Sequence, residues 1–76
     1  MIVVKLWGGL GNQMFQYAFG YALSKEKNDQ LYFDVDFYVK QHKHVGHREI
    51  EVKKMVKDFR VAQRNDLVIR FLENYY

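Results

Sequence analysis

The sequence predicts an α/β fold, and the order of its local patterns supports that prediction. A run of β-branched residues at 2–7 leads into a glycine-rich turn and a stretch of helical periodicity, and a second apolar run follows at 31–35. A strand, a helix and a second strand in this order form a βαβ unit, whose two strands we expect to be parallel. We place this unit at residues 1–36 and treat residues 1–76 as one partial N-terminal α/β domain, with the structure of the remainder left open.

The size and composition of the chain indicate a piece of a larger protein. A chain of 76 residues buries only about 60–65% of the surface that it exposes when unfolded, so its own core is small. Aromatic residues nevertheless make up 17% of the chain, and there is no cysteine, which excludes disulfides and thiolate metal sites. The net charge of +3 comes from interspersed acids and bases, and so weak a bias does not favour nucleic-acid binding.

Each element of the βαβ unit has its own signal. Residues 2–7 are apolar apart from Lys5, begin with three β-branched residues and are followed by glycines, which is typical of a buried strand. The three glycines of the turn at 8–12 permit positive φ angles and the close approach of a ligand or another backbone. Residues 13–27 contain no helix breaker apart from Gly20, and their apolar face is wide enough to predict burial on more than one side. Asn28 is the predicted C-cap of this helix, and residues 31–35 form the second strand.

The rest of the chain carries weaker signals. The aromatic residues of the helix, at positions 15, 17, 19 and 21, are expected to be mostly core. Residues 37–50 are polar and irregular, and residues 50–52 and 59–61 fit either strand edges or short helical turns. Residues 66–72 fit a final helix with Asn65 as its N-cap.

The glycine turn is the most informative candidate site. Backbone N–H groups at the start of a helix point outward and carry a partial positive charge, which suits an anion or another substrate group. The turn is not a dinucleotide-binding fingerprint, because Met14 stands where the third glycine would be, and it lacks the lysine and serine or threonine of a P-loop. The alternative is a turn that only packs the helix against the strand.

One run of residues favours a substrate site at this turn. Residues 8–18 read GGLGNQMFQYA, which resembles, almost letter for letter, the N-terminal motif of the family 11 glycosyltransferases, the α-1,2-fucosyltransferases. The following segment, a helix with alanines and then a strand that ends in Asp34, is similar to the family as well. The resemblance is specific within the motif and weakens beyond residue 36.

The resemblance implies a transferase that moves L-fucose from GDP-fucose to the 2-hydroxyl of a galactose on a glycan, such as an O-antigen or capsule unit. It implies inversion at the transferred carbon, no metal and no other cofactor. The implied fold is the GT-B type, with this chain as the N-terminal βαβ portion of a Rossmann-like domain. The implied partners of the full-length parent are the nucleotide-sugar donor and the galactose-terminated acceptor, without nucleic acid.

The resemblance also suggests which residues contact substrate. By their place in the motif, five residues would line the cleft between the two domains: Gly8, Gly9, Gly11, Asn12 and Gln13. Their backbone amides would hold the donor pyrophosphate or acceptor hydroxyls, and amide side chains offer a neutral sugar both donors and acceptors. The alternative for Asn12 and Gln13 is helix capping.

The chain departs from the family at the donor-binding motif, a run His-x-Arg-Arg-x-Asp-Tyr. Here Arg48 follows His47, but Glu49 and Ile50 then break the pattern. Without those arginines there is little to neutralise a pyrophosphate, so we expect this chain alone to be inactive. The alternative is a small non-catalytic binding or interaction module derived from the same family.

The sequence does not identify the catalytic base. Asp34 and Asp36 are the candidates, because they flank one residue at the end of a strand and should therefore point to one face, and an inverting transfer needs a base. The alternative is that they start a turn or cap the next element. His42, His44 and His47 match no metal-site spacing, so we expect loop histidines and no metal.

The sequence also carries an expectation about location. It shows no secretory leader, and no apolar run approaches the roughly 20 residues that cross a bilayer. We therefore expect a cytoplasmic protein of bacterial type, either free or peripheral to the inner membrane.

Overall fold

The structure, a computed structural model, describes residues 1–39, 49–63 and 75–76. Its elements are the strands β1 (Ile2–Lys5) and β2 (Leu31–Asp34), the helices α1 (Leu10–Lys27) and α2 (Asp36–Val39), and a 3₁₀ helix at Val52–Lys54. The two strands pair in parallel, as predicted for the βαβ unit. This mixture of helices with a parallel two-stranded sheet is compatible with the predicted α/β class.

Two further backbone segments flank the sheet. A parallel bridge joins Val3 of β1 to Tyr75, and a second one joins Phe33 of β2 to Val61. The sequence left residues 59–61 open between a strand edge and a helical turn, and the bridge at Val61 places them at a sheet edge. Because β1 has neighbours on both sides, its burial agrees with that of an inner strand of a parallel sheet.

The core lies between the sheet and α1. Ile2, Val4 and Leu6 alternate along the chain, so they share one face, and each is at most 2% exposed. Phe33 from β2 and Val52 from the 3₁₀ helix complete this buried cluster. The prediction of a buried first strand is confirmed for Ile2–Lys5, whereas the predicted strand extended to Trp7, which is exposed.

Helix α1 begins at Leu10, earlier than the predicted start at residue 13. Gly9 is its N-cap, and the Gly9 carbonyl accepts a hydrogen bond from the Gln13 amide at 3.0 Å. The predicted start was wrong because all three glycines were assigned to the turn, whereas Gly11 lies inside the helix. The other end is confirmed: Asn28 closes the helix with a left-handed backbone, φ 52° and ψ 51°, which asparagine adopts more readily than most residues.

Gly20 allows α1 to lie close to the sheet. A Cβ atom built on this glycine would stand 2.9 Å from Leu31 Cδ1 and 3.1 Å from Val4 Cγ2. A side chain at this position would therefore press against both strands. The glycine that reads as a helix breaker in the sequence is a packing contact in the structure.

Replacing Gly20 with alanine is expected to lower the free energy of unfolding by about 1 kcal/mol, because overpacking outweighs the gain in helix propensity. Gly11→Ala is the matched control, since nothing lies within 4 Å of a Cβ there. That variant should gain about 0.5 kcal/mol from propensity alone. Urea unfolding measures both. A Gly20→Ala protein as stable as the Gly11→Ala protein would contradict the close approach of helix and sheet.

One side of α1 is exposed, which corrects the predicted burial on more than one side. The buried positions of the helix are Gln13, Gly20 and Ser24. Its exposed large apolar side chains are Leu10, Met14, Phe15, Phe19 and Tyr21. The sheet in the described residues is small and packs against a single face of α1, so most of the aromatic residues predicted to be core are exposed, Phe15 to 75%.

Tyr17 is the aromatic residue of α1 that joins the core. Its ring stacks on Phe33 with 5.4 Å between the centroids, and Phe33 stacks in turn on Phe59 at 5.0 Å. The Tyr17 hydroxyl donates a hydrogen bond to the Asp58 carbonyl at 3.0 Å. Burial, and then the nearby Asp58 charge, raise the pKa of Tyr17.

We expect the free energy of unfolding to fall at alkaline pH through Tyr17. Its pKa in the folded protein lies above the value of about 10 in the unfolded chain. The stabilising contribution is therefore present below about pH 10 and lost as the pH rises through the folded value. Urea unfolding at a series of alkaline pH values measures this loss. Tyr17→Phe should reduce it, and an equal loss in the Tyr17→Phe protein would contradict the assignment.

Two predictions fall on residues that the structure does not describe. They are the helix at 66–72 with Asn65 as its N-cap, and the loop position of His42, His44 and His47. Within the described residues, no helix combines the length and the apolar character that crossing a bilayer requires.

Candidate functional site

The glycine turn connects the carboxyl end of β1 to the start of α1. Gly8 is buried and has a left-handed φ of +82°, a conformation that glycine adopts without steric cost. A Cβ atom on Gly8 would lie 2.5 Å from Asn12 Nδ2, so the Asn12 side chain folds back over the turn. The left-handed φ therefore favours glycine at position 8, and a side chain there would also displace the Asn12 side chain.

The first turn of α1 presents free backbone donors. No side chain caps Gly9, and no acidic residue stands in the first turn. In the described part of the chain, the amides of Leu10, Gly11 and Asn12 donate to no protein group, and all three residues are exposed. Unpaired N–H groups and the positive end of the helix dipole together favour an anion at this position.

The space beside these donors is open. A Cβ atom on Gly11 would meet nothing within 4 Å, and the exposed Asn12 side chain adds two further donors and an acceptor. Gly9, which immediately precedes the helix, is partly exposed. Three of the five predicted substrate residues, Gly9, Gly11 and Asn12, therefore lie together at an accessible helix terminus beside the buried Gly8, and the contact of all of them with substrate remains a prediction.

Gln13, the fifth predicted residue, is in a different environment. Its side chain is fully buried. Its Nε2 group donates to the Gly8 carbonyl at 3.0 Å and to the Glu49 carbonyl at 2.8 Å. Its Oε1 atom accepts a hydrogen bond from the Val52 amide at 3.0 Å. Both protons of the amide are used within the protein, so Gln13 joins the turn to the segment at 49–52, and neither it nor Asn12 serves as the helix N-cap.

Two residues that the sequence analysis missed also hold the turn. The Tyr38 hydroxyl, from α2, donates to the Gly8 carbonyl at 2.8 Å. Gln16 binds the backbone of Trp7 at both ends, accepting from its amide at 3.0 Å and donating to its carbonyl at 3.3 Å. Gln16 could have been noticed, because it lies three residues after Gln13 and one helical turn covers that distance. Tyr38 has no local signal in the sequence.

Asp34 anchors the neighbouring end of β2. Its carboxyl group is buried and accepts hydrogen bonds from the Tyr75 hydroxyl at 2.6 Å and from the Asp36 amide at 3.0 Å. Since β2 ends at Asp34 and Asp36 begins α2, strand alternation does not place the two carboxylates on one face, and that argument was wrong. The contacts favour the alternative that Asp34 starts a turn, while a catalytic role for either residue stays a prediction.

The sheet brings the two candidate regions to the same edge. Lys5 lies opposite Asp34 at the carboxyl ends of β1 and β2, and the Leu6 amide donates to the Asp34 carbonyl at 2.9 Å. Ligands of open α/β sheets bind beyond these strand ends. In residues 1–39, 49–63 and 75–76 no three acidic, histidine or cysteine side chains are grouped so as to hold a metal ion.

Comparison with known proteins agrees with a glycosyltransferase origin. The chain is 52% identical over 48 residues to an α-1,2-colitosyltransferase of Escherichia coli. The match covers 63% of this chain and 17% of that enzyme. No protein-family model matches the chain, and no solved structure matches it. The chain is therefore a partial homologue of a glycosyltransferase and spans about one sixth of the length of that relative.

Proposed function

We propose that this chain is the N-terminal portion of an inverting α-1,2-glycosyltransferase that moves a fucose-type sugar from a GDP-sugar to the 2-hydroxyl of a galactose on a glycan. The observation that supports it best is the motif GGLGNQMFQYA at residues 8–18. Its glycine turn leads into an open helix terminus at the carboxyl edge of a parallel sheet. The similarity to a colitosyltransferase supports the reaction class. A GT-B fold with this chain in the Rossmann-like N-terminal domain, and a cytoplasmic or inner-membrane-peripheral location, belong to the same proposal.

The geometry suggests how the turn takes part. The amides of Leu10, Gly11 and Asn12 face solvent at the positive end of α1, where a donor diphosphate or a sugar hydroxyl can accept hydrogen bonds. The Asn12 amide adds donors for a neutral hydroxyl. Asp36 is the more accessible of the two candidate bases, because Asp34 is buried. The reaction needs no metal in this scheme.

Two observations point to two different candidate donor sugars. The motif at residues 8–18 resembles that of fucosyltransferases, whereas the relative in Escherichia coli is named for colitose. Both enzyme names specify an α-1,2 linkage. Colitose is the 3-deoxy counterpart of L-fucose, so the two transferred sugars differ by one hydroxyl. A site built to bind that hydroxyl discriminates strongly between the two, whereas an apolar site does not.

The chain alone is proposed to bind a donor weakly and to transfer nothing. The family's arginine-rich donor motif is absent from its 76 residues, and backbone amides without arginines give a diphosphate little charge compensation. The rival hypothesis, a non-catalytic binding module, shares the weak binding but excludes a catalytic parent.

Asn12→Asp tests the turn as a donor site. The substitution keeps the side-chain shape but replaces the amide donors by a negative charge, so it should weaken GDP-fucose and GDP-colitose binding about tenfold or more. Stability should be kept or raised, because a carboxylate suits the first helical turn. Amide chemical-shift titration of the ¹⁵N-labelled chain measures affinity and position together.

Gln30→Glu is the matched control, since Gln30 is exposed and immediately precedes β2, so the same charge is added at the amino ends of the strands, whereas the turn follows the carboxyl end of β1. It should bind donor like the original protein. Donor shifts centred away from residues 9–12, or an Asn12→Asp protein that binds normally, would remove the turn from the proposal. The comparison of the two donors decides between fucose and colitose.

A further inference from the structure

The proposed reaction does not use the side chain of Gln13 directly. Its side chain is fully buried, yet it is polar, and an unpaired amide at such a position would be costly. All its hydrogen-bonding groups reach backbone atoms, and none reaches another side chain. An amide that satisfies three separate backbone groups fixes the relative position of the segments that contain them.

The segments that Gln13 joins are distant in sequence. One is the Gly8 carbonyl in the turn, five residues away, and the other is the backbone from Glu49 to Val52, 36 to 39 residues away. Val52 is itself 2% exposed and belongs to the core. The turn is therefore attached, through a single side chain, to a part of the chain that the core holds in place.

The Gly8 carbonyl accepts two hydrogen bonds, from Gln13 Nε2 and from the Tyr38 hydroxyl. This carbonyl belongs to the residue with φ of +82°. Its direction determines where the following peptide points, and with it the amides at the start of α1. Holding it from two sides fixes those amides before any ligand arrives, which reduces the cost of ordering them on binding.

We propose that Gln13 is a positioning residue: it sets the conformation of the glycine turn by tying it to residues 49–52, so that the open amides of Leu10, Gly11 and Asn12 are preorganised for the diphosphate of a donor. The identity of the ligand in this inference rests on the proposed function, whereas the hydrogen bonds of Gln13 do not depend on it. Gln13 itself touches no substrate in this arrangement.

Gln13→Met and Gln13→Glu separate this role from simple packing. Methionine has a similar shape but lacks both the oxygen that accepts from the Val52 amide and the N–H groups that donate to the Gly8 and Glu49 carbonyls. The Val52 amide should therefore lose exchange protection at least tenfold, and the amide shifts of residues 9–12 should change. Affinity for inorganic pyrophosphate should fall at least fivefold, measured by amide chemical shifts under conditions in which the spectrum shows the variant to be folded. Leu23→Ala, a partly buried core change elsewhere on α1, should leave the turn and its affinity unchanged.

Gln13→Glu adds a pH-dependent test. A protonated glutamic acid can donate to one of the two carbonyls and accept from Val52, whereas a carboxylate opposes both carbonyls. The pKa of this buried group should lie above its unfolded value near 4.3, so the native turn shifts should be recovered below that value and lost as the pH rises through the folded one. The titratable groups facing the site, Tyr38 and the exposed Glu49, are unchanged in Gln13→Met, which supplies the baseline.

The original protein gives a test that needs no variant to fold. The Gln13 side-chain NH₂ protons should exchange slowly and show contacts to the Glu49–Val52 backbone. Rapid exchange, or a folded Gln13→Met protein with native turn shifts and native pyrophosphate affinity, would overturn the proposal. If the original protein shows the slow exchange but does not bind pyrophosphate, the proposed function fails while the positioning role of Gln13 stands.

Discussion

Replacing Gln13 with alanine is expected to lower the free energy of unfolding by about 3–5 kcal/mol. The Gly8 carbonyl keeps its bond from Tyr38, but the Glu49 carbonyl and the Val52 amide lose their partner inside the protein. An unsatisfied buried polar group costs about 1–3 kcal/mol, and the space vacated by the side chain adds to this. A domain of this size has a total stability of roughly 4–11 kcal/mol, so the substitution should remove a large part of it.

Urea unfolding followed by circular dichroism measures this loss, and Gln16→Ala is the control. Gln16 lies on the same helix and also bonds backbone, but at a partly exposed position, where water replaces the lost partners. Its loss should cost no more than about 1.5 kcal/mol. A Gln13→Ala protein that is no less stable than Gln16→Ala would show that the buried amide does not hold the turn.

Gly8→Ala should have the second-largest effect and should change both stability and binding. A left-handed φ costs a residue with a Cβ about 1–2 kcal/mol, and the new Cβ would meet Asn12 Nδ2 at 2.5 Å. We expect a loss of about 2–3 kcal/mol in the free energy of unfolding. Because Asn12 must move and the Gly8 carbonyl turns, donor binding at the helix terminus should also fall about tenfold or more.

Gly11→Ala separates the two effects of the Gly8 change. Both substitutions add one methyl group to the same turn, but the Gly11 methyl would meet open space. The Gly11 variant should therefore be at least as stable as the original protein, and only a ligand that approaches the backbone closely would be affected. Thermal melts with and without GDP-fucose measure the stability and the binding together. Equal stability of the two variants would contradict the strained turn.

The local parts of this fold could be predicted from the sequence because their signals are local. The β-branched run of β1, a glycine turn directly after it and the Asn28 cap each depend on neighbouring residues, and each is confirmed, although the turn is shorter than the predicted 8–12. The start of α1 was wrong because a glycine is compatible with a turn and with a first helical turn alike. The exposed face of α1 was wrong because periodicity shows that a face is apolar but not how many partners cover it.

The parts of the candidate site that the sequence did not predict depend on distant contacts. Tyr38 reaches Gly8 across 30 residues, and Gln13 reaches Val52 across 39. No spacing rule connects such positions. The resemblance placed Gln13 among the substrate residues, and that role stays a prediction, whereas the structure shows that its side-chain amide bonds backbone groups. Only the tertiary arrangement distinguishes a residue that lines a site from one that holds the lining in place.

The most direct test of the glycosyltransferase assignment is a chimera. In the colitosyltransferase of Escherichia coli, the region that matches this chain over 48 residues is replaced by the corresponding residues of this chain, and sugar transfer to a galactoside is measured. Circular dichroism confirms folding, and the same chimera with Gly8→Ala is the internal control. We expect the folded chimera to transfer sugar and the Gly8→Ala chimera to lose most of that activity. A folded chimera that transfers no sugar, or one whose activity is unchanged by Gly8→Ala, would contradict the glycosyltransferase assignment.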